Sequence, residues 1–443
     1  MADDPTALAT LVLAAGKGTR MKSTRPKVLH ELCGLPMLAY PVEAAEALAP
    51  QRLLAVVGHG AEPIRERFAE RLEFVLQDQQ RGTGHAVLQC REPLQGFVGD
   101  VLILYGDTPL LRAETLERMR AHKQASGAEL VLLSAPVAVP GIVIRDDSGS
   151  VVRIVEATDA TPEQLRIEER NTGVYLLDAD LLWKLMAQVD DANAQGELYL
   201  TDIVAIAVGE GRTVEALKLD DPDEALGVNT RRELAVAGGC LRERILNRLM
   251  DGGVTIVDPA STFVDADVVI GVDTVIEPGC VISGPTRIGE GVRLRPHCTI
   301  ESSEIGANVT IGPCAHIRPG CQIGDGSRIG NFVEVKNSVI GPGVKADHLS
   351  YIGDADVGAG ASFGCGSIVV NYDGFAKHRT HVGERAFVGC NANLVAPVVI
   401  AADSFIAAGS TITKPVSEQA LAVARAKQRN VEGWVTKRKR SED

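Results

Sequence analysis

An α/β domain followed by a parallel β-helix is the fold this sequence predicts, on three observations. Apolar residues recur at intervals of six between Ile270 and Ile412. Before them, apolar runs alternate with helical segments in the order expected of a doubly wound sheet. One charged stretch of helical spacing, after Asn229, joins the two patterns.

The repeat is the strongest signal. Apolar residues stand at 270, 276, 282, 288, 294 and 300, then at 305, 311, 317, 323, 329 and 335. They continue at 340, 346 and 352, at 357 and 363, and, after an insertion, at 382, 388, 394, 400, 406 and 412. A helix repeats every ~3.6 residues and an amphipathic strand every ~2, so this beat fits neither as one unbroken element. It fits a coil of short straight pieces joined by tight turns. Each piece supplies one inward side chain, and glycine eases the corner, as at Ile270-Gly271, Ile288-Gly289 and Ile323-Gly324. Three repeats, about eighteen residues, complete one turn.

Bulk properties narrow the class. At 443 residues the chain has ample length for more than one domain, and its 45% hydrophobic and 4% aromatic content suits a globular protein. No apolar run reaches membrane-spanning length, and the start MADDPTALAT lacks a basic n-region, so a cytoplasmic enzyme with no membrane partner is expected. A formal charge of -13 argues against nucleic acid as a partner. Nine cysteines without a CxxC pair do not suggest a disulfide framework, and most are expected in the core. Cys280 and Cys298, eighteen apart, would stack on successive coils as buried thiols. The basic cluster Lys437 to Arg440 reads as a solvated tail.

Taken in order, the apolar run Leu8 to Ala15 is a buried strand that delivers the chain into Gly16-Lys17-Gly18-Thr19-Arg20. Glycines there let backbone N–H groups face an anion, Arg20 adds a fixed charge, and Arg25-Pro26-Lys27 sets further cations close by. Helices near Met37 to Leu48 and Pro63 to Glu70 alternate with strands at Leu53 to Val57, Val101 to Tyr105 and Leu130 to Leu133. Ligands of such folds collect beyond the carboxyl ends of parallel strands. Tyr105-Gly106-Asp107 lies at such an end, and its carboxylate is a candidate Mg2+ ligand or a cap before Thr108-Pro109. After Asn229, Leu234, Leu241, Ile245 and Leu249 keep helical spacing. Gly238-Gly239, at about 1 kcal/mol each against alanine, marks where that connecting helix is expected to bend or break.

In the repeats, the residues that matter are those a bare coil does not need. Arg318-Pro319, Glu334-Val335-Lys336, His348 to Tyr351, Asn371 to Gly374 and Lys377 stand out. Arg318 and Lys336 are eighteen apart, one turn of coil, and stacked cations repel unless an anion lies between them. A sugar phosphate would serve. The insertion between Phe363 and Val382 leaves the beat, as functional loops do.

Six segments in this order, LVLAAGKGTRMKSTRPKVL, QDQQRGTGHAV, LYGDTPLL, NTGVYLL, GELYLTDI and GVNTRREL, followed by the hexapeptide pattern, resemble a known family. It is that of the bifunctional N-acetylglucosamine-1-phosphate uridylyltransferases fused to glucosamine-1-phosphate N-acetyltransferases. The resemblance covers nearly the whole chain. It implies a Rossmann-like nucleotide-diphospho-sugar transferase domain over residues 1–228, a helical linker over 229–252, and a left-handed parallel β-helix of hexapeptide repeats with a C-terminal tail over 253–443. The implied substrates are glucosamine 1-phosphate, acetyl-CoA, UTP and N-acetylglucosamine 1-phosphate, with Mg2+ as cofactor and a homotrimer as the assembly. The product, UDP-N-acetylglucosamine, feeds peptidoglycan and lipopolysaccharide synthesis.

Carried over by position, the resemblance puts UTP near Ala14, Ala15, Gly16, Arg20, Lys27, Gln77, Gly82 and Thr83, with Tyr105 and Gly106 beside it. Glu156, Asn171, Tyr199 and Thr201 would meet the sugar, and Asp107 and Asn229 the metal. In the second domain His348 would be the general base that takes a proton from the substrate amine. Glu334 would orient that histidine or bind sugar; Asn371 would position the amine; Tyr351 and Tyr372 would hold the sugar or its phosphate. Arg318, Lys336 and Lys377 would bind phosphate, Lys377 across a subunit interface. Acetyl-CoA would run along Ser362, Cys365, Cys390 and Ala408 to Arg425.

The chain departs from the family in two places. Between Ser134 and Val152 the family's aspartate-proline turn and Gly-Tyr-Gly-Arg run are missing, and Gly141 alone could stand for them. Either the sugar is read differently or a loop is absent from the chain. Ser362, Cys365 and Cys390 replace residues that are commonly Asn, Ala and Ser, with Cys390 expected as inert packing. A nucleotidyltransferase for another sugar phosphate, with a merely regulatory or oligomerising β-helix, would have no use for Arg318, Lys336, His348 and Asn371 together, and Asp107 speaks against a non-catalytic trimeric scaffold.

Overall fold

The computed structural model describes residues 7–58 and 60–439. The first six residues and Arg440, on which the expectations about the amino terminus and the basic tail partly rest, lie outside it. The chain forms two compact units, Met1–Leu241 and Arg242–Asp443.

The first unit is built on a sheet whose strand order is Val214–Lys218, Leu130–Ala135, Arg170–Asp178, Asp100–Tyr105, Leu8–Leu13, Arg52–Val57 and Glu73–Leu76. Leu8–Leu13 is buried along its whole length, as its unbroken apolar run requires of a central strand covered on both faces. Its side chains alternate between two cores, Leu8 and Val12 on one face and Ala9, Leu11 and Leu13 on the other. The strands predicted near 53, 101 and 130 are present within a residue or two of their expected limits.

One strand breaks the parallel pattern: Arg170–Asp178 runs antiparallel to both neighbours. The reason is local. The segment before it folds as a hairpin, Gly141–Arg145 with Val151–Glu156, rather than as a crossover helix, so the chain re-enters the sheet in the opposite sense. The 134–152 segment that departs from the family pattern is thus an ordered hairpin at the sheet's flank.

The second unit is a left-handed parallel β-helix whose faces hold, among the described residues, ten, nine and eight short strands. The apolar beat lies inside. Ile282, Ile300, Ile317, Val335 and Ile352 are in register on one face, and each is at most 1% exposed. Where the sequence steps by five instead of six, the corner is taken by Ser302, Asn337 or Asp354 in the left-handed region, with φ of 41°, 44° and 49°. Asn and Asp tolerate that conformation better than most side chains.

The joining helix is continuous from Arg231 to Asp251, so Gly238-Gly239 does not break it. Its first half belongs to the first unit, where Ala237 and Leu241 pack with Leu32, Met37, Leu110 and Val228. That burial outweighs a glycine cost of about 2 kcal/mol for the pair. Among the described residues, no helix is long and apolar enough to cross a membrane.

Candidate active sites

At the carboxyl ends of the parallel strands the first unit opens two adjoining cavities of about 310 and 270 Å3. Both are lined by Ala14, Ala15, Gly16, Lys27 and Gln77. Gly82, Thr83, Tyr105 and Asp107 line the second. The loop after Leu13 is held by Ala14 N–H donating to Val56 O at 2.8 Å, and Gly106 N–H donates to Leu13 O at 2.9 Å. Backbone pairing between Arg81, Gly84 and Leu198 fixes the 82–84 turn and brings QDQQRGTGHAV and GELYLTDI together though they are far apart in sequence.

Lys27, with its side chain only 9% exposed, donates from Nζ to Asp107 Oδ2 at 2.5 Å and to Asn229 Oδ1 at 2.9 Å. Asp107 and Asn229 are brought together by the backbone, Val228 N–H donating to Asp107 O at 2.9 Å. Thr108 makes its own turn bond to Tyr105 O at 2.9 Å, so the Asp107 carboxylate is free to face the cation.

Beside this cleft, Gly141 pairs with Glu156 in the hairpin, and Thr201 Oγ1 donates to Glu156 Oε1 at 3.2 Å. Burial, with Asp202 and Asp159 adding to it and Thr201 opposing it, raises the Glu156 carboxyl above its usual value. Tyr199, Thr201 and Asn171 are buried nearby. Asn171 donates to the Tyr175 hydroxyl at 2.6 Å and accepts from Gly173 N–H at 3.1 Å. Tyr175 and Gly173 were not singled out from the sequence; a tyrosine interrupting an apolar strand was the available signal. Arg20, expected beside the triphosphate, is not among the residues lining these two cavities. It lines a separate cavity with Lys22, Arg231, Arg232 and Glu233.

The second cluster is on the nine-stranded face of the β-helix. Glu334 and Lys336 lie in register with Tyr351 and Gly353 of the next coil, and Arg318 N–H donates to Val335 O at 2.8 Å, so the one-turn stacking holds. The cations are not bare. Arg318 Nη1 meets Glu334 Oε1 at 2.9 Å, and Lys336 Nζ lies 3.6 Å from Asp354 Oδ2. The anions beside Arg318 and Lys336 are thus the protein's own carboxylates, and Lys377 adds a third cation to the cluster. Lys377 meets Lys336 of its own chain, and that contact makes its proton easier to lose than an ordinary lysine's.

Asp354 was missed because it reads as a corner residue, yet it accepts from Asn337 and Asn371. Burial acts to raise its pKa, but those bonds and the nearby Lys336 win and hold it below the usual range. Asn371 also donates to the Tyr351 hydroxyl at 3.3 Å. Tyr372 instead bonds Gly374 O within the insertion and is exposed.

His348 is exposed at the end of a neighbouring strand, and its Nδ1 pairs with Asn331 Oδ1 at 2.7 Å. Glu334, expected to orient the histidine or bind sugar, pairs instead with Arg318, and the contact to the imidazole comes from Asn331. With Nδ1–H donating to Asn331, the Nε2 lone pair stays available as a base.

The expected acetyl-CoA positions follow one another up the coils. Asn391 N–H donates to Cys365 O at 2.8 Å, Gly409 N–H to Cys390 O at 2.8 Å, and Arg425 Nη1 to Ala408 O at 2.9 Å. Ser362 lies in register with Phe387. None of the nine cysteines is in a disulfide; Cys90, Cys280, Cys298 and Cys321 are buried, but Cys390 is exposed rather than packed in the core.

The amino-terminal half matches the MobA-like NTP transferase domain over residues 10–158, and the hexapeptide repeat of bacterial transferases matches residues 267–302 and 302–337. Relatives named bifunctional protein GlmU resemble the chain end to end. The one from Pelobacter propionicus is 47% identical over 96% of this chain and 98% of its own length. That from Geobacillus thermodenitrificans is 47% identical over 96% and 97%, and that from Halalkalibacterium halodurans 46% over 97% and 98%. A nucleotidyltransferase half and a hexapeptide-repeat acyltransferase half, matched across the whole length by such relatives, make this chain a member of the bifunctional GlmU family.

Proposed function

We propose that the two clusters are the two active sites of one enzyme that makes UDP-N-acetylglucosamine. The β-helix acetylates glucosamine 1-phosphate from acetyl-CoA, and the α/β unit then joins the product to UTP. The observation that carries this reading is the convergence of Arg318, Lys336, Lys377 and Asn371 on one face of the β-helix, with an exposed histidine on the adjacent strand.

In the first reaction Arg318, Lys336 and Lys377 hold the sugar phosphate, and Asn371, anchored by Asp354, positions the amine. The amine attacks the thioester carbonyl while His348 Nε2 takes its proton, and the coenzyme A thiol leaves. In the second, a phosphate oxygen of N-acetylglucosamine 1-phosphate attacks the α-phosphorus of UTP and pyrophosphate leaves. Such a transfer needs positioning and charge neutralisation rather than a protein nucleophile. Gly16 and its neighbours cradle the triphosphate, while Glu156, Asn171, Tyr199 and Thr201 take the sugar.

Asp107 and Asn229 would hold Mg2+, one carboxylate and one amide oxygen being hard donors that leave room for phosphate oxygens and water. That pair fits a cation, since both oxygens already converge on the Lys27 ammonium. When bound, the ion supplies charge neutralisation of the triphosphate. A homotrimer completes the picture. Supporting it, Phe375 at the tip of the 371–379 excursion is 96% exposed, and Phe332 and Leu349 beside His348 are also uncovered in one chain. The substrates and the free thiols suit the cytoplasm.

Glucosamine 1-phosphate, acetyl-CoA, UTP and Mg2+ supplied together should release free thiol and pyrophosphate. Supply of N-acetylglucosamine 1-phosphate in place of the amino sugar should release pyrophosphate alone. No thiol release by intact protein would reduce the β-helix to a scaffold.

A further inference from the structure

One part-buried contact of the first unit joins Lys27 to the two oxygens read above as metal ligands. Its ammonium is 2.5 Å from Asp107 Oδ2 and 2.9 Å from Asn229 Oδ1. It therefore fills the volume that a small divalent ion bound by those oxygens would need, because a Mg2+–oxygen distance of about 2.1 Å and an N–H···O distance of about 2.8 Å put the two cations in overlapping positions. Both cannot be there at once.

We propose that Lys27 is a placeholder cation that couples metal binding to nucleotide binding. Without nucleotide the ammonium occupies the Asp107–Asn229 site and excludes the divalent ion. Triphosphate entering the adjoining cavity, which Lys27 also lines, draws the ammonium onto its oxygens and leaves Asp107 and Asn229 free. The inference rests on reading these two residues as metal ligands.

The local build suits a head that moves on a fixed stem. Pro26 and the short helical turn Lys27–Leu29 fix the backbone. Gly18, at φ +61°, packs so close to Lys27 that a Cβ there would come within 2.6 Å of the Lys27 Cβ. Beyond that point three rotatable bonds carry the nitrogen, so the ammonium can swing between the carboxylate and the cavity while the backbone stays still. The electrostatics set the order. Asp107 and Asn229 bring one negative charge, too little to hold an ammonium and a divalent ion side by side, whereas a triphosphate brings enough charge for both.

The test is Mn2+ binding, followed by the paramagnetic resonance signal of the free ion, with full-length protein and a non-hydrolysable UTP analogue. Wild type should bind Mn2+ weakly alone and at least about tenfold more tightly with the analogue. Lys27→Met, and Lys27→Gln as a second variant whose folding is checked by its melting curve, should bind Mn2+ about tenfold more tightly than wild type in the absence of nucleotide. In both variants the analogue should add less. Asp107→Ala should lose Mn2+ binding under both conditions. If neither Lys27 variant tightens Mn2+ while Asp107→Ala still abolishes it, the placeholder is wrong and the ligand reading stands. If Asp107→Ala binds Mn2+ like wild type with the analogue present, the ligand reading itself fails.

Discussion

Gly173 must lack a side chain. Its φ is +84°, and a Cβ built there would sit 2.3 Å from the Tyr105 ring, which lines the second cavity. Gly173→Ala should destabilise the first unit by about 1–3 kcal/mol in urea unfolding and raise KM for the sugar phosphate in uridylyl transfer. Nothing in NTGVYLL announces this, because the ring that demands the glycine lies on a strand about seventy residues earlier. Charged residues of separate motifs, by contrast, were legible: Lys27, Asp107 and Asn229 were each marked, the last two as a pair, and only the place of the Lys27 ammonium between them was not.

His30 carries a second residue-level consequence. Burial first, then the charges of Arg231 and Arg25, hold its imidazole below the ordinary value, with Glu31 opposing. An unfolded chain takes up a proton there near pH 6.5 that the folded one refuses. Stability from this group is therefore full above that pH and falls as pH drops towards the folded pKa. The unfolding midpoint of the first unit should decline between about pH 7 and about pH 5, and His30→Gln should flatten the decline. Among the thiols, burial pushes Cys90 up to about 12, so a mild alkylating reagent should take Cys390 first and leave Cys90 untouched, read by mass mapping of the native protein.

At the scale of elements, the joining helix shows where sequence rules lose to packing. Two adjacent glycines argue for a break, and the helix runs through them because Ala237 and Leu241 on either side are anchored in an apolar cluster. A Cβ at Gly239 would meet nothing within 4 Å. Gly239→Ala should therefore raise stability by up to about 1 kcal/mol, visible as a higher denaturant midpoint with unchanged slope. Strands of the α/β unit were legible because their apolar runs are long. The antiparallel strand was not, since its direction is decided by a hairpin whose residues look like any other flanking loop.

For the whole molecule, each site is assembled from residues of one unit, so the two activities should be separable. His348→Ala should abolish acetyl transfer and leave uridylyl transfer within about twofold of wild type, and Asp107→Ala should do the reverse. Equal loss of both activities in either variant would contradict two independent sites. The β-helix was the most legible part, since a period repeated over many turns averages out every local ambiguity. Its chemistry was less so: Asp354 sits at a corner and Asn331 at a strand end, positions that any coil could fill with small polar residues.

Val357 pairs with Val382, while the coils before and after it close in seventeen or eighteen residues. A stack whose layers touch only their neighbours can carry such a detour without penalty to the layers beyond. Cutting residues 372–378 and bridging the gap with a short turn should therefore leave the melting curve of the coil nearly unchanged while phosphate recognition disappears. Architecture and chemistry would then be inherited separately, the one by counting rungs and the other by what is hung from a single rung.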